Sequence, residues 1–280
     1  MLTPAHTQSA VRAALMEDAP WGDVTARLVI SDTATMTAAI RAREPGVFAG
    51  GAVLTEAFRQ VDPRITVSAL RADATAFAPG DVLAEVTGPA RGILTAERVA
   101  LNFVQRMSGI ATLTSQYVAE VERVGAHARI ADTRKTVPGL RVFDKYSVTA
   151  GGGSNHRFGL SDAIMVKDNH LAVLGGDITA ALIELKRRAG HTTSIIVEVD
   201  RLEQIDAVRA ARPTGILLDN FSISDLRAAV ALIDGAMTVE ASGGVTLGTV
   251  AEIASTGVDV ISVGALTHSV RALDLGLDAR

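Results

Sequence analysis

One pattern recurs through the second half of the chain and limits the folds it can adopt. A short apolar run rich in β-branched residues ends at a charged residue or a glycine, and a helical segment usually follows. Strands that alternate with helices favour parallel pairing through right-handed crossovers, which gives a barrel or an open doubly wound sheet. The apolar runs cover residues 128–130, 163–166, 195–197, 216–218, 237–239 and 260–263, and helical spacing covers 178–188, 202–211, 223–233 and 247–255.

The barrel is the preferred interpretation of this alternation. None of the runs is followed by the G-x-G-x-x-G turn typical of dinucleotide-binding doubly wound sheets. Several runs end at polar residues, and a barrel builds its active site at the carboxyl ends of its strands. The predicted class is therefore α/β, with the open sheet as the alternative.

The first part of the chain has a different sequence pattern. Between residues 23 and 92, short apolar stretches alternate with turn signals, which predicts a small sheet with one or two helices. Residues 95–124 carry apolar side chains at three- and four-residue steps. This spacing predicts a long amphipathic helix with Thr95 and Arg98 at its start.

Composition excludes several classes of protein. The chain has 280 residues, of which 48% are hydrophobic and 21% charged, so it can bury a sizeable core. Its 27 basic and 31 acidic residues argue against a general nucleic-acid or membrane surface. It has no cysteine, no leader-like N-terminus and no apolar run of about 18 residues. We therefore expect a cytoplasmic protein.

Positive charge is concentrated between residues 132 and 170 although the net charge is −4. The cations in this span include Arg134, Lys135, Lys145, Arg157 and Lys167, and three glycines stand among them at 151–153. Like charges repel unless something compensates them. This concentration indicates a pocket for an anion with several negative groups.

Charged residues stand where the predicted strands end, and a barrel would bring them to one mouth. They are Asp132, Lys167, Glu198, Asp219 and Glu240. Carboxylates with opposing lysines could hold a Mg²⁺-bound phosphate ester and sugar hydroxyls. We expect no dedicated metal cage, because His156, His170 and His268 lack the paired spacing of zinc ligands.

Two glycine-containing segments are candidate phosphate sites. Ser242, Gly243 and Gly244 follow one predicted strand, and Gly264 follows the last one, each before a predicted helix. Backbone N–H groups at such positions bind phosphate. The alternative is that these glycines serve only tight turns.

Ten short strings, taken in order, resemble the quinolinate phosphoribosyltransferase family, also called nicotinate-nucleotide pyrophosphorylase (carboxylating). The resemblance runs from about Glu17 to the end of the sequence. The strings lie at residues 97–102, 108–112, 132–136, 138–140, 145–146, 151–153, 155–157, 167–170, 218–220 and 242–244.

The resemblance implies an N-terminal α/β sandwich-like domain at 1–110 with the start of the long helix. It implies an incomplete, about seven-stranded α/β barrel at 111–268, and a segment at 269–280 that packs back on the first domain. The implied assembly is a homodimer with shared active sites, and larger assemblies stay open. The implied reaction joins quinolinate to 5-phosphoribosyl 1-diphosphate with Mg²⁺, and releases CO₂, diphosphate and nicotinate mononucleotide for NAD synthesis.

The resemblance also implies roles for individual residues. Quinolinate would be held by Arg134, His156, Arg157 and Lys167, with Arg98 from the partner subunit. The phosphoribosyl donor and its Mg²⁺ would be held by Lys135, Glu198 and Asp219, and the 5-phosphate by Ser242, Gly243, Gly244 and Gly264. The catalytic set would be Lys135, Lys167, Glu198 and Asp219.

These residue types suit that chemistry. Arginine and lysine are the natural partners of two carboxylates and a diphosphate. Glu198 and Asp219 could stabilise the oxocarbenium character that develops as diphosphate leaves. A lysine would then protonate C2 of the ring, and the sequence does not choose between Lys135 and Lys167.

Two other functions fit part of this pattern. One is a related transferase, of the kind associated with molybdenum transport, that acts on another substrate; the full cation set disfavours it. The other is a catalytically silent barrel that senses a sugar phosphate, which the pair Glu198 and Asp219 disfavours.

Overall fold

A computed structural model describes residues 2–174 and 176–279 of the protein. The chain divides into two compact units, and both are discontinuous in sequence. Unit 1 contains residues 1–115, 137–152 and 269–280, and unit 2 contains residues 116–136 and 153–268. Residues 111–115 and 137–152, which lie inside the expected barrel domain at 111–268, group with unit 1.

Unit 1 is built on an antiparallel sheet with helices. Its helices are α1 (Pro4–Asp18), α2 (Val24–Val29), α3 (Gly51–Val61), the larger part of α4 (Ala90–Arg123) and α5 (Arg141–Ala150); its strands are β1 (Thr35–Ala42), β2 (Gly46–Val47), β3 (Thr66–Ser68), β4 (Ala76–Phe77), β5 (Val82–Pro89) and β12 (Leu275–Ala279). The main sheet has the order β12-β1-β5-β3, and β2 pairs with β4. The expected small sheet with helices is confirmed.

The core of unit 1 draws on segments that are far apart in sequence. Val11 of α1, Phe58 of α3, Phe143 of α5 and Leu275 of β12 are all buried in one hydrophobic cluster. The long helix begins at Ala90, five residues before the predicted start. Thr95 lies inside the helix, where its hydroxyl donates to the Arg91 carbonyl at 2.8 Å.

A buried ion pair fixes α5 within unit 1. The Asp144 side chain is 1% exposed and accepts two hydrogen bonds from the Arg106 guanidinium, at 3.0 and 2.9 Å. Its Oδ2 also accepts the N–H of Val137 at 3.3 Å. A carboxylate that is removed from water is stable only with such partners. Asp144 therefore holds the start of the 137–152 segment against α4.

Unit 2 follows the strand–helix alternation that the sequence predicts. Its strands are β6 (Arg129–Ala131), β7 (Ile164–Val166), β8 (Ile195–Val199), β9 (Gly215–Asp219), β10 (Thr238–Ser242) and β11 (Val260–Ser262); its helices are α6 (Asp168–Leu174), α7 (Ile178–Arg188), α8 (Ile205–Ala211) after the 3-10 turn Leu202–Gln204, α9 (Ile223–Ile233), α10 (Val250–Ala254) and α11 (Ala265–His268). All six apolar runs are strands, and α7 and α9 have the predicted bounds. Buried side chains on these strands, such as Val197, Ile216 and Ile261, form the core.

The strand order shows a barrel that is open on one side. The sheet is parallel throughout and runs β6-β11-β10-β9-β8-β7, so the first strand in sequence pairs with the last. A doubly wound sheet would instead reverse its order from a central strand. β6 and β7 are the two edges, and an isolated parallel bridge between Ala131 and Ser154 extends the β6 edge. Six strands and one bridge thus stand where about seven strands were expected.

Within residues 2–174 and 176–279, no helix is both long enough and apolar enough to cross a membrane.

Replacing Asp144 with Ala should lower the free energy of unfolding by about 3 to 5 kcal/mol, because it removes one partner of a buried ion pair. Urea unfolding followed by circular dichroism measures this. Glu184→Ala is the control, since its bond to Arg187 is exposed and should contribute almost nothing. Equal stability of the two variants would refute the role given to Asp144.

Candidate active site

Strand register aligns the acidic residues at the carboxyl edge of unit 2. Glu198 of β8 is the register partner of Leu217 on β9, which is the partner of Glu240 on β10. Asp219 on β9 and Ser242 on β10 are also register partners, two residues nearer the carboxyl ends of their strands. Partners on neighbouring strands point to the same side of a sheet, as do residues two apart on one strand. The four side chains therefore face one side, in two rows.

Lys167 and Glu198 form an ion pair in this region. Lys167 directly follows β7, and its Nζ lies 2.5 Å from Glu198 Oε2. The Lys167 side chain is 42% exposed and that of Glu198 13%. The structure thus joins two residues that were expected to hold different substrates.

Two arginines lie close enough to repel each other. Burial lowers the pKa of Arg157 from its usual value, and the charge of Arg134 lowers it further, while Asp162 and Glu198 oppose the change. Arg157 Nη1 donates to the Ala163 carbonyl at 3.2 Å. A guanidinium that is partly buried beside another cation gains from binding an anion.

His156 lies between two acidic side chains. Its backbone N–H donates to Oδ1 of the fully buried Asp132 at 2.8 Å. Its ring Nε2 lies 3.4 Å from Oε2 of the buried Glu240. Its ring Nδ1 accepts the N–H of Arg157 at 2.7 Å.

The turn after β10 packs closely on the turn after β9. Asn220 has a left-handed backbone (φ +58°), and its Nδ2 donates to Asp219 Oδ2 at 2.8 Å. Gly243 also has positive φ (+97°), and a Cβ placed there would lie 2.2 Å from Asn220 Oδ1. Only glycine fits this approach. The fit keeps Asn220 on the Asp219 carboxylate.

Lys135 and Gly264 are brought together at the other candidate phosphate segment. A Cβ on Gly264 would lie 3.1 Å from Lys135 Cδ and 3.1 Å from the ring of His268. The hydroxyl of the buried Thr267 donates to the Lys135 carbonyl at 2.7 Å. Gly264 directly precedes α11, as predicted. Ser242–Gly244 does not directly precede a helix, because α10 begins only at Val250.

Two of the cations singled out in the sequence belong to unit 1. Lys145 lies in α5 and is 3% exposed, so it is a buried residue of that unit. Arg98 lies on α4 and is exposed. The other predicted site residues all belong to unit 2.

Three residues near the site received no site role in the sequence interpretation. Asn220, Thr267 and His268 hold or contact predicted site residues. Asn220 carried a usable signal, since asparagine after a strand favours the left-handed conformation. His268 was considered only as a metal ligand. Thr267 carried no signal, because its partner is 132 residues away.

Among residues 2–174 and 176–279, no group of three or more His, Asp or Glu side chains could hold a metal ion. Glu198 and Asp219 nevertheless supply carboxylate oxygens, which are the ligands that Mg²⁺ uses together with substrate phosphates.

The fold is that of an incomplete α/β barrel with charged residues at the carboxyl edge of its sheet, and comparison with known proteins gives the family. The model of the quinolinate phosphoribosyl transferase N-terminal domain matches residues 23–108, and that of the C-terminal domain matches residues 110–278. The chain belongs to the quinolinate phosphoribosyl transferase family.

Relatives match over nearly their whole length. The chain is 45% identical to the nicotinate-nucleotide pyrophosphorylase [carboxylating] of Mycobacterium leprae, covering 96% of this chain and 95% of the relative. It is 41% identical to the probable enzyme of that name from Bacillus subtilis, covering 94% and 90%. The solved structure of the nicotinate-nucleotide pyrophosphorylase from Francisella tularensis superposes with a TM-score of 0.93 at 37% identity, covering 100% and 98%.

Gly243→Ala should destabilise the protein more than Gly244→Ala does. Both positions have positive φ, but a methyl group at Gly244 would meet nothing within 4 Å. Backbone strain of about 1 kcal/mol is expected at Gly244, and at least about 2 kcal/mol at Gly243, where Asn220 must also move. Urea unfolding measures both variants, and equal losses would show that Asn220 does not constrain Gly243.

Proposed function

We propose that the protein joins quinolinate to 5-phosphoribosyl 1-diphosphate and releases CO₂ and diphosphate, which yields nicotinate mononucleotide. Family membership supports this activity. The observation that carries it at the site is the proximity of Arg134 to the partly buried Arg157, beside the pair Lys167–Glu198. A planar acid with two adjacent carboxylates would compensate both guanidinium charges.

The aromatic acid would bind on the cationic side of this edge. Arg134, Arg157 and Lys167 are assigned to its carboxylates, with His156 beside them. Arg98 is assigned to the same substrate, but from the partner subunit. The pair Lys167–Glu198 supports a junction between two substrate sites, since Lys167 would contact the acid and Glu198 the sugar.

The phosphoribosyl donor would bind along the ends of β9, β10 and β11. Lys135 and Gly264 are assigned to its phosphates together with Ser242, Gly243 and Gly244, and Asp219 and Glu198 to its ribose side. The contact of Lys135 with Gly264 supports one phosphate site shared by both. His268 borders the same place and joins the proposed set.

Mg²⁺ fits this donor set without a cage of its own. Glu198 and Asp219 would hold it together with the donor's diphosphate, where it would neutralise the charge of the leaving group.

The reaction places opposite demands on the two sides of the site. As the bond from the anomeric carbon to diphosphate breaks, positive charge develops on the ribose, and the carboxylates of Glu198 and Asp219 stabilise it. The pyridine nitrogen forms the new bond and becomes cationic. The C2 carboxylate then leaves as CO₂, and its electron pair stays on C2 beside that cation.

A proton must finally reach C2. Lys167 is the better placed of the two candidate lysines, because it lies beside Glu198 whereas Lys135 lies against the glycine assigned to phosphate. Lys167 would give a proton from Nζ to C2, and Glu198 would stabilise its charged form beforehand.

The assembly proposed with this activity is a homodimer. Five apolar side chains between residues 16 and 29 of unit 1 are 61–88% exposed: Met16, Trp21, Val24, Leu28 and Val29. Exposed apolar residues that cluster in this way mark an interaction surface. A second copy of the chain is the proposed occupant, and this would let Arg98 enter the partner's site. A reducing compartment such as the cytoplasm is proposed from the absence of cysteine.

One assay tests the reaction. Purified protein is incubated with quinolinate, 5-phosphoribosyl 1-diphosphate and Mg²⁺, and both CO₂ and nicotinate mononucleotide are measured. We expect the two products in equal amounts, and none when nicotinate replaces quinolinate. Turnover of nicotinate at a similar rate would contradict the proposed substrate.

Lys167→Ala should lower kcat/KM for quinolinate about 10- to 100-fold, because a charge-assisted contact contributes about 1.5 to 3 kcal/mol. KM for the donor should change little. Lys186→Ala removes a lysine that bonds the Arg212 carbonyl on the surface, and it should leave both constants unchanged. Unaltered quinolinate kinetics in Lys167→Ala would remove Lys167 from the acid's site.

Arg98→Ala tests the shared site. This variant and Asp219→Ala should each be nearly inactive alone, whereas subunits mixed after dissociation should recover up to about a quarter of wild-type activity, because each mixed dimer regains one intact site. If no mixture regains activity although mixed dimers form, Arg98 does not act across the interface.

A further inference from the structure

Glu240 is a buried carboxylate to which the proposed reaction gives no role. It stands in the middle of β10, level with Glu198 of β8. Ser242 and its register partner Asp219 lie two residues nearer the carboxyl ends of their strands. The Glu240 side chain is 7% exposed, and Oε1 has no hydrogen-bond partner among the described residues. A carboxylate so poorly solvated is costly to keep unless it serves a specific contact.

The contact that Glu240 makes is with the ring of His156. Nδ1 of that ring accepts the Arg157 N–H at 2.7 Å, so it carries a lone pair and no proton. The proton of the neutral ring is then on Nε2, which faces Glu240 Oε2 at 3.4 Å. The hydrogen bond accepted at Nδ1 therefore determines that the neutral ring presents an N–H group at Nε2 to Glu240.

This contact ties together two strands that are not neighbours. The backbone of His156 is held by Asp132 at the end of β6, and its ring faces Glu240 on β10, with β11 between them. Arg157 is the next residue, and its own N–H is bonded to the ring. The position of Arg157 therefore depends on where the ring of His156 is held.

A rigid arrangement matters here because Arg157 is in an unfavourable place. Burial and the charge of Arg134 both disfavour the charged form of the Arg157 guanidinium and lower its pKa. Nδ1 of His156 meets the Arg157 backbone with a lone pair, so it adds no positive charge on that side. A flexible ring would let Arg157 move away from Arg134 and lose the preorganised site.

We propose that Glu240 is a positioning residue: it holds His156 as the neutral Nε2–H tautomer, and through it orients Arg157 toward a carboxylate of the aromatic acid. The inference rests on the proposed function for the identity of that acid. It gives His156 the role of a spacer between Glu240 and Arg157, in place of a cationic ligand.

Kinetics of Glu240→Leu and Glu240→Gln test the positioning role. Leucine removes the acceptor, so KM for quinolinate should rise at least about tenfold, with KM for the donor within about twofold. Glutamine keeps an acceptor oxygen, so its rise should be smaller, about threefold. Glu252→Gln, at an exposed glutamate of α10, is the control. Equal effects on both substrates would show a merely structural role and overturn the proposal.

Nitrogen NMR of histidine-labelled, ligand-free protein tests the tautomer without any activity. The His156 signals are identified by their loss in His156→Asn. We expect one protonated and one unprotonated ring nitrogen in the wild type, with the proton on Nε2, and a changed pattern in Glu240→Gln. A doubly protonated ring or an Nδ1–H tautomer would overturn the proposal even if Glu240→Leu did not fold.

The two measurements also separate this inference from the reaction. If the wild type makes no nicotinate mononucleotide but the NMR result holds, the proposed function fails and the link from Glu240 to His156 stands. If turnover is observed and the tautomer is wrong, only the positioning role falls.

Discussion

The hydrogen-bond register of β8, β9 and β10 determines which charged side chains of this protein can meet. It places Glu198 and Glu240 in one row and Asp219 and Ser242 in the next. A slip of one residue would turn every side chain of a strand to the opposite face. Buried apolar neighbours such as Val197, Ile216 and Leu218 oppose such a slip, since it would place them where charges now stand. The same apolar residues that form the core therefore fix the geometry of the site.

The cations at the carboxyl edge of unit 2 are compensated by acidic side chains to different degrees. Lys167 is paired with Glu198, whereas Arg157 lies beside Arg134 and gains only partial relief from Asp162 and Glu198. Fixed dipoles and charges that face the reacting atoms in advance are a large part of how enzymes stabilise transition states. The guanidinium of Arg157 therefore lies in surroundings that disfavour its charge, and a nearby anion would offset this.

Much of this architecture could be predicted from sequence. The six apolar runs and the helices 178–188 and 223–233 were found because their periodicity is local. The start of α4 was predicted five residues too late, at residue 95, whereas the helix begins at Ala90. The grouping of 137–152 with unit 1 was not visible, since it depends on Asp144 meeting Arg106, 38 residues away.

The candidate site, like the fold, could be predicted from sequence only in part. Residues at strand ends were predicted because a parallel sheet must bring them to one edge. Their pairings were not, because no pattern in the sequence records that Lys167 faces Glu198 or that His156 faces Glu240. The role of Asn220 was predictable in one respect and not in the other. Its backbone conformation is typical of asparagine, but its fit against Gly243 requires two turns to be adjacent.

The pairing of β12 with β1 has a consequence for synthesis in the cell. Residues 275–279 form the outer strand of the unit 1 sheet, next to a strand made from residues 35–42. While the ribosome works through the intervening part, β1 has an unprotected edge that other chains could pair with. Unit 1 can therefore complete its sheet only after residues 275–279 have emerged, although most of its residues are translated earlier.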